Sequence, residues 1–257
     1  MKWYIIIPDR ELPSHLERVR VIIMSDYNIY NGYDYNGYDG GYTYEAGYTD
    51  QLDAKTYNLA ITGCLFWGFL INSLICRYLT PFFYNMNYLL FIVGYFVCAF
   101  AGIHVIRKST TALPAFLGYN LLVLPVGGVL SVFLVGYSTT IVQYAFLATA
   151  LVTLIMGVMS YIYPQSFLSM GRALGISLIA VIVVELIMTL IFRSSITVID
   201  YIVAVIFSLF IGYDMAKSQK MEHTYVSAVG CAAELYLDII NVFMRVVSIM
   251  GRGSRNN

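Results

Sequence analysis

The chain has 257 residues, of which 59% are hydrophobic and only 12% charged, with a mean hydropathy of +0.72. Soluble domains carry about 25% charged residues, so this composition excludes a soluble protein and indicates an integral membrane protein with the lipid bilayer as its partner. The formal net charge is zero, which argues against nucleic acid as a partner.

Residues 1–56 differ in character from the rest of the chain. Positions 27–48 read YNIYNGYDYNGYDGGYTYEAGY, a near-repeat of Tyr, Gly, Asn and Asp. Such a stretch lacks the apolar side chains that offset the entropy of ordering, so a disordered tail is expected here. A sticky self-association segment is the sharper alternative. Residues 1–23 contain apolar runs too short to span a bilayer and no cleavage site of signal-peptide type. Met24-Ser25-Asp26 resembles a natural chain start, which makes an over-extended gene model the expectation for residues 1–23.

Seven spans come next, each near the ~20 residues that a helix needs to cross the hydrocarbon. They fall at about 57–79, 87–106, 113–136, 141–163, 173–192, 196–213 and 229–250, which makes 57–251 an all-α, seven-helix transmembrane domain and 252–257 a short C-terminal tail. Short connections predict a mostly antiparallel bundle. Pro114, Pro125, Gly127 and Gly128 predict a kinked or broken third helix. The seventh span is the least apolar. Its Glu234, Asp238, Asn241 and Arg245 recur at spacings of four, three and four, and so lie on one helical stripe. Lipid would not accept that stripe, so it must face protein or water.

Basic residues set the orientation. Lys55, Arg107, Lys108, Arg172, Lys217 and Lys220 flank one side if the N-terminus is cytoplasmic, whereas the 80–87 and 137–140 connections carry no Lys or Arg. Arg193 is the exception among the outer loops. Arg252 and Arg255 would lie outside, which leaves open a re-entrant last segment that returns the tail to the cytoplasm.

The chemistry is concentrated in a few ionisable residues at bilayer depth. Asp214 closes the sixth span and Asp238 sits inside the seventh. Their separation of 24 positions accommodates a connection and two to three turns of helix, so the returning chain brings the two acids to similar depth. Two carboxylates that meet there titrate as a coupled pair, the chemistry of a cation site or a pH sensor. Structural acids inside a bundle are the alternative. Glu234, one turn before Asp238, adds like charge. Glu185 lies mid-span in the fifth helix and must be protonated or paired with a polar group on a facing helix; a structural role and a functional one are both open. Asp200, with Thr197 nearby, reads as a helix-start residue. Arg77 and Arg193 sit near span ends, where they can snorkel.

No phosphate loop, HExxH or GxSxG is present, so neither an enzyme nor a cofactor is expected. His104 could sense pH, with a structural interfacial role as its alternative. Cys64, Cys76, Cys98 and Cys231 fall in apolar runs without metal-binding spacing and read as small buried residues.

The C-terminal pattern resembles that of a known family. Gly212-Tyr213-Asp214, followed by Glu234-Leu235-Tyr236-Leu237-Asp238-Ile239-Ile240-Asn241-Val242-Phe243, is similar to the hallmark of the Bax inhibitor-1, or transmembrane Bax-inhibitor-motif, family. Tyr163-Pro164-Gln165-Ser166-Phe167-Leu168-Ser169-Met170-Gly171 resembles the family's loop between helices four and five. The resemblance covers about residues 50–251 and is specific in the last forty. It implies a central helix wrapped by the others and, by similarity to bacterial members, a pH-sensitive Ca²⁺ leak channel. In such members the acids matching Asp214 and Asp238 form a hydrogen-bonded dyad, and an Arg of the second helix latches onto the first acid. Arg107 is the positional match for that Arg. The second-helix Glu of some relatives is replaced here by the Phe96-Val97-Cys98 neighbourhood, while Glu185 and Glu234 are acids where relatives have apolar or small residues.

The expectation is therefore a proton-modulated cation leak, with Ca²⁺ or H⁺ as the moving ion and Asp214 and Asp238 as its carboxylate ligands, in the bacterial cytoplasmic membrane. A non-transporting regulator that binds a membrane protease or another membrane complex is the rival reading.

Overall fold

The computed structural model describes residues 51–187 and 197–255. The Tyr-rich tail and Arg193 lie outside the described residues. Among the described residues, seven helical spans are long and apolar enough to cross a bilayer, and they form an all-α bundle.

The first span, Ala54–Tyr84, is composite. Helix α1 (Ala54–Leu74) runs through a π-helical turn, Ile75–Leu79, into the short α2 (Thr80–Tyr84). Asp53 caps α1 by accepting from the amides of Lys55 and Thr56 at 3.1 and 3.2 Å, which satisfies N–H groups that have no partner within the helix. Helix α3 (Tyr88–Lys108) is capped in the same way by Asn87. Four more helices follow: α4 (Ala112–Leu134), α5 (Thr139–Ile162), α6 (Pro164–Ile187) and α7 (Thr197–Ser218). The last, α8 (Tyr225–Arg255), is 31 residues long.

Helix α8 is the axis of the bundle. It packs most extensively on α7 and also touches α1, α3, α4 and α5. The physical reason is its composition. As the least apolar span, it gains most from protein neighbours, because lipid cannot satisfy its polar side chains. Ala228, Ala232 and Ala233 allow neighbouring backbones to come close, as small residues do between membrane helices. By contrast, α3 and α6 turn Phe96, Phe100, Ile176 and Ile179 outward, the surface expected of helices that face acyl chains.

Three expectations are corrected. Of the kinked or broken third span, the break is not found: α4 is continuous through Pro125 and its glycines. Its small residues serve close approach instead. A Cβ on Gly118 would stand 2.9 Å from the carbonyl oxygen of Gly102 on α3, so this crossing requires glycine. Residues 164–171 are not a loop: Pro164 opens α6, a position where the missing proline N–H costs nothing. Finally, α8 is a single uninterrupted helix and does not turn back on itself. The helical part of the membrane domain thus runs from Ala54 to Arg255, slightly beyond the expected 57–251.

Candidate functional site

Helices α7 and α8 are antiparallel neighbours, so the end of one meets the start of the other. The polar stripe of α8 therefore meets α7 at two levels. From Glu234 to Arg252 the stripe rises about 27 Å at 1.5 Å per residue, close to the ~30 Å thickness of a hydrocarbon core. A cluster of charged side chains sits at each level.

The first cluster joins the C-terminal end of α7 to the first half of α8. Asp214 and Asp238 are both buried, at 8% and 7% exposure. Each lies close enough to Glu234 to feel its charge. Asp238 Oδ2 is buried with no hydrogen-bond partner among the described residues. Two carboxylates cannot donate to each other; a hydrogen bond between such groups needs one shared proton. Beside them Lys217 Nζ donates to both carboxylate oxygens of Glu234, at 2.9 and 2.7 Å. This pair is part-exposed, and the Lys217 charge also acts on Asp214 and Asp238. One cation thus serves three acids.

The second cluster joins the start of α7, the C-terminal end of α6 and the second half of α8. Arg245 Nη1 lies 2.6 Å from Glu185 Oε1 and 2.7 Å from Asp200 Oδ1, while its Nη2 donates to Glu185 Oε2 at 3.0 Å. Arg252 Nη2 lies 2.6 Å from the other Asp200 oxygen. Here two guanidiniums meet two carboxylates, so the cluster is balanced.

The structure places the expected residues unevenly. Asp214, Asp238 and Glu234 fall in the first cluster. Glu185 belongs to the second, paired with Arg245 on the central helix. Asn241 lies between the clusters and spends its amide on the Leu237 carbonyl of its own helix, at 2.8 Å. Arg107 is exposed at the end of α3 and is not brought to Asp214; Lys217 is the cation there. Asp200 does more than open a helix, because its buried carboxylate accepts from Arg245 and forms an ion pair with Arg252.

Sequence reasoning missed Lys217, Arg252 and the full role of Arg245. It also missed a neutral network on α8 at the level of the first cluster. Asn72 on α1 donates to the Tyr236 hydroxyl at 2.7 Å, and Tyr119 on α4 donates to the Cys64 carbonyl at 2.9 Å while packing edge-on to Tyr236. At the first-cluster end, Tyr57 stacks on His223, with ring centroids 4.4 Å apart, and its hydroxyl lies 3.3 Å from Cys231 Sγ. The i,i+4 spacing of Arg245 to Asn241 was one available signal; nothing in the local sequence announces the tyrosines.

The architecture defines a seven-helix membrane protein whose most polar span is central and carries buried charge along one stripe. The chain belongs to the Bax inhibitor-1 family: residues 49–256 match the family described as inhibitor of apoptosis-promoting Bax1, a non-catalytic class of membrane protein. It is 30% identical over 166 residues to an uncharacterized membrane protein of Streptococcus pyogenes serotype M1, covering 61% of this chain and 70% of the relative. A second streptococcal protein, from serotype M6, is 31% identical over 57% of this chain and 66% of its own length. An uncharacterized protein of Helicobacter pylori is 36% identical over 110 residues, or 40% of this chain and 46% of the relative. The matched segment thus spans about two thirds of the streptococcal proteins and under half of the Helicobacter one. Among the described residues, no group of three or more His, Cys, Asp or Glu side chains is placed to hold a metal ion.

Proposed function

We propose that the protein is a pH-sensitive Ca²⁺ leak channel of the bacterial cytoplasmic membrane, with its N-terminus in the cytoplasm and Asp214 and Asp238 as a proton-sharing dyad that controls passage. The observation that carries this reading is the charge imbalance around the two buried acids. Glu234 and Lys217 neutralise one another, which leaves Asp214 and Asp238 without a full counter-charge inside the bundle. Buried uncompensated charge is costly, so either a proton or a cation has to complete the site. These two occupants compete for the same oxygens.

Ca²⁺ takes six to eight oxygen ligands when it is held. Two carboxylates offer fewer, which suits an ion in transit better than a resident one. In the proposed cycle the protonated dyad ties α7 to α8. Loss of that proton sets two like charges against each other and loosens the contact or draws in a cation. Glu234 lies at the mouth, Asn241 continues the stripe inward, and Glu185 with Arg245 closes the far end.

The test is Ca²⁺ entry into dye-loaded liposomes carrying the purified protein, measured from about pH 6 to pH 8, a range around the ordinary histidine value and above the carboxylate one. The reading requires flux above protein-free liposomes, with a step within that range. Absence of flux at every pH supports the rival, a non-transporting regulator that docks on a membrane protease or another membrane complex.

A further inference from the structure

Helix α5 leans on α7 and α8 but is not a packed partner of α1 or α4. The wedge left between them is a cavity of about 870 Å³, within the ~300–1,000 Å³ range of ligand sites. Its walls are almost wholly apolar, with Phe69, Leu130, Phe146 and Phe243 among them. On α8 the cavity meets Ile239, Ile240 and Phe243, which at 100° per residue lie across the helix from Asp238 and Arg245. The cavity is therefore off the polar stripe and separate from the proposed cation route. Phe146, Ala150 and Leu154 line it and are also exposed on the outer surface of α5, so the cavity opens sideways toward lipid.

Three polar atoms in this apolar wall are unpaired. Among the described residues, Asn72 Oδ1, Thr149 Oγ1 and Thr153 Oγ1 are buried without a hydrogen-bond partner, and all three residues line the cavity. Asn72 and Thr149 are each 3% exposed. The threonines depart from the habit of the other hydroxyls in this bundle. Thr62, Thr80 and Ser208 each donate to the carbonyl four residues back, and Ser131 and Ser160 to the carbonyl three back. The amide of Asn72 is committed to Tyr236, so its Oδ1 can only accept. An unpaired polar atom in such a place costs about 1–3 kcal/mol, and three together point to a ligand that completes them.

We propose that this cavity binds an apolar alcohol or phenol that enters sideways from the bilayer. The hydroxyl is the group that fits. It can donate to Asn72 Oδ1, which an ester or ketone carbonyl cannot do. It can also accept from Thr149 or Thr153, and it crosses hydrocarbon uncharged, which an ammonium or carboxylate does not. The apolar body of the ligand fills the volume that water would leave unsolvated.

The experiment uses the full chain in lipid nanodiscs and two photoreactive probes, a diazirine-bearing hexadecanol and the matching diazirine hexadecane. Labelled peptides are mapped by mass spectrometry. The alcohol is expected to label the 146–161 segment of α5 and the 69–76 segment of α1 roughly three- to tenfold above the alkane, the worth of one or two hydrogen bonds. Unlabelled hexadecanol should compete. Thr149→Val with Thr153→Val should bring the alcohol down to the alkane level, and Ala150→Trp, which fills the cavity, should remove both labels. Equal labelling by the two probes in the wild-type chain means an ordinary acyl chain occupies the space and overturns the proposal. So does labelling by neither probe, or an alcohol excess that survives loss of both threonine hydroxyls. Because the probe ratio is read first on the wild-type chain, failure of a variant to fold does not rescue the proposal, and ion flux plays no part in the readout.

Discussion

The two charged clusters along α8 are both built from acids and bases but are balanced differently. At the far end, Arg245 and Arg252 face Glu185 and Asp200, so every charge has a partner supplied by the protein. At the near end, Asp214, Asp238 and Glu234 share Lys217 alone among the described residues. A balanced cluster needs nothing from its surroundings and works as a clamp. An unbalanced one must take up a proton or a cation, and that makes it responsive. On the proposed reading, the far end supplies stability and the near end sensitivity.

The largest expected effect tests the clamp. Arg245→Leu strips Glu185 of its partner and leaves the buried Asp200 only Arg252. Breaking a buried ion cluster from one side costs about 3–5 kcal/mol, so thermal unfolding in detergent should fall steeply or monodisperse protein should be lost. A neutral result would mean that the far end is not a clamp. Glu185→Gln is milder, because Asp200 still holds Arg245 and the lost pair is part-exposed and partly screened; about 1 kcal/mol is expected. Asp214→Asn and Asp238→Asn should be neutral or stabilising in the same unfolding assay, since each removes uncompensated charge. If either lowered stability as much as Arg245→Leu, the contrast between the ends would collapse.

A sharper test moves the balance of the near end without touching the dyad. Lys217→Met takes away its one cation, so the acids should hold their proton to higher pH and the midpoint of the flux step should rise. Glu234→Gln removes a negative charge and should lower it. Shifts in the same direction for both would break the electrostatic account.

The smallest effects lie outside the bundle. Hydrogen bonding to Thr56 holds the Asp53 carboxyl below its ordinary value. A carboxyl lowered on folding contributes above its unfolded-state pKa, and that contribution fades as pH falls through the lowered one. The protection of the Lys55 and Thr56 amides relative to their intrinsic exchange rates should therefore fall only in acid, and Asp53→Ala should remove that fall. Deleting residues 1–50 should leave insertion and monodispersity unchanged, because this stretch has no apolar core to offset its ordering entropy. Loss of monodisperse protein would show that the tail packs on the bundle.

The bundle was legible in the sequence because twenty-residue apolar runs have few other uses. Asp214 and Asp238 were legible for the same reason: an acid in an apolar run stands out. Asp200 and Arg252 lie near span ends, where charge is ordinary, and only the antiparallel pairing of α7 with α8 brings them together. Pro125 and the glycines of α4 misled because they break helices in water. Within this bundle the helix runs on, and Gly118 serves a tight crossing with Gly102 instead. Pro164 misled in the opposite way, since it starts a helix where a loop was expected. Asn72 and Tyr236 are neutral residues in apolar surroundings, and their bond across two distant helices leaves no local mark.

The central claim is that Asp214 and Asp238 sense protons together. Ca²⁺ flux into liposomes should be compared from about pH 6 to pH 8 for the wild-type chain, Asp214→Asn and Asp238→Asn, at matched protein content. The account predicts that the wild-type step disappears in each variant while both remain folded and inserted, because either substitution removes the shared proton. Retention of the wild-type pH profile by both variants would contradict it.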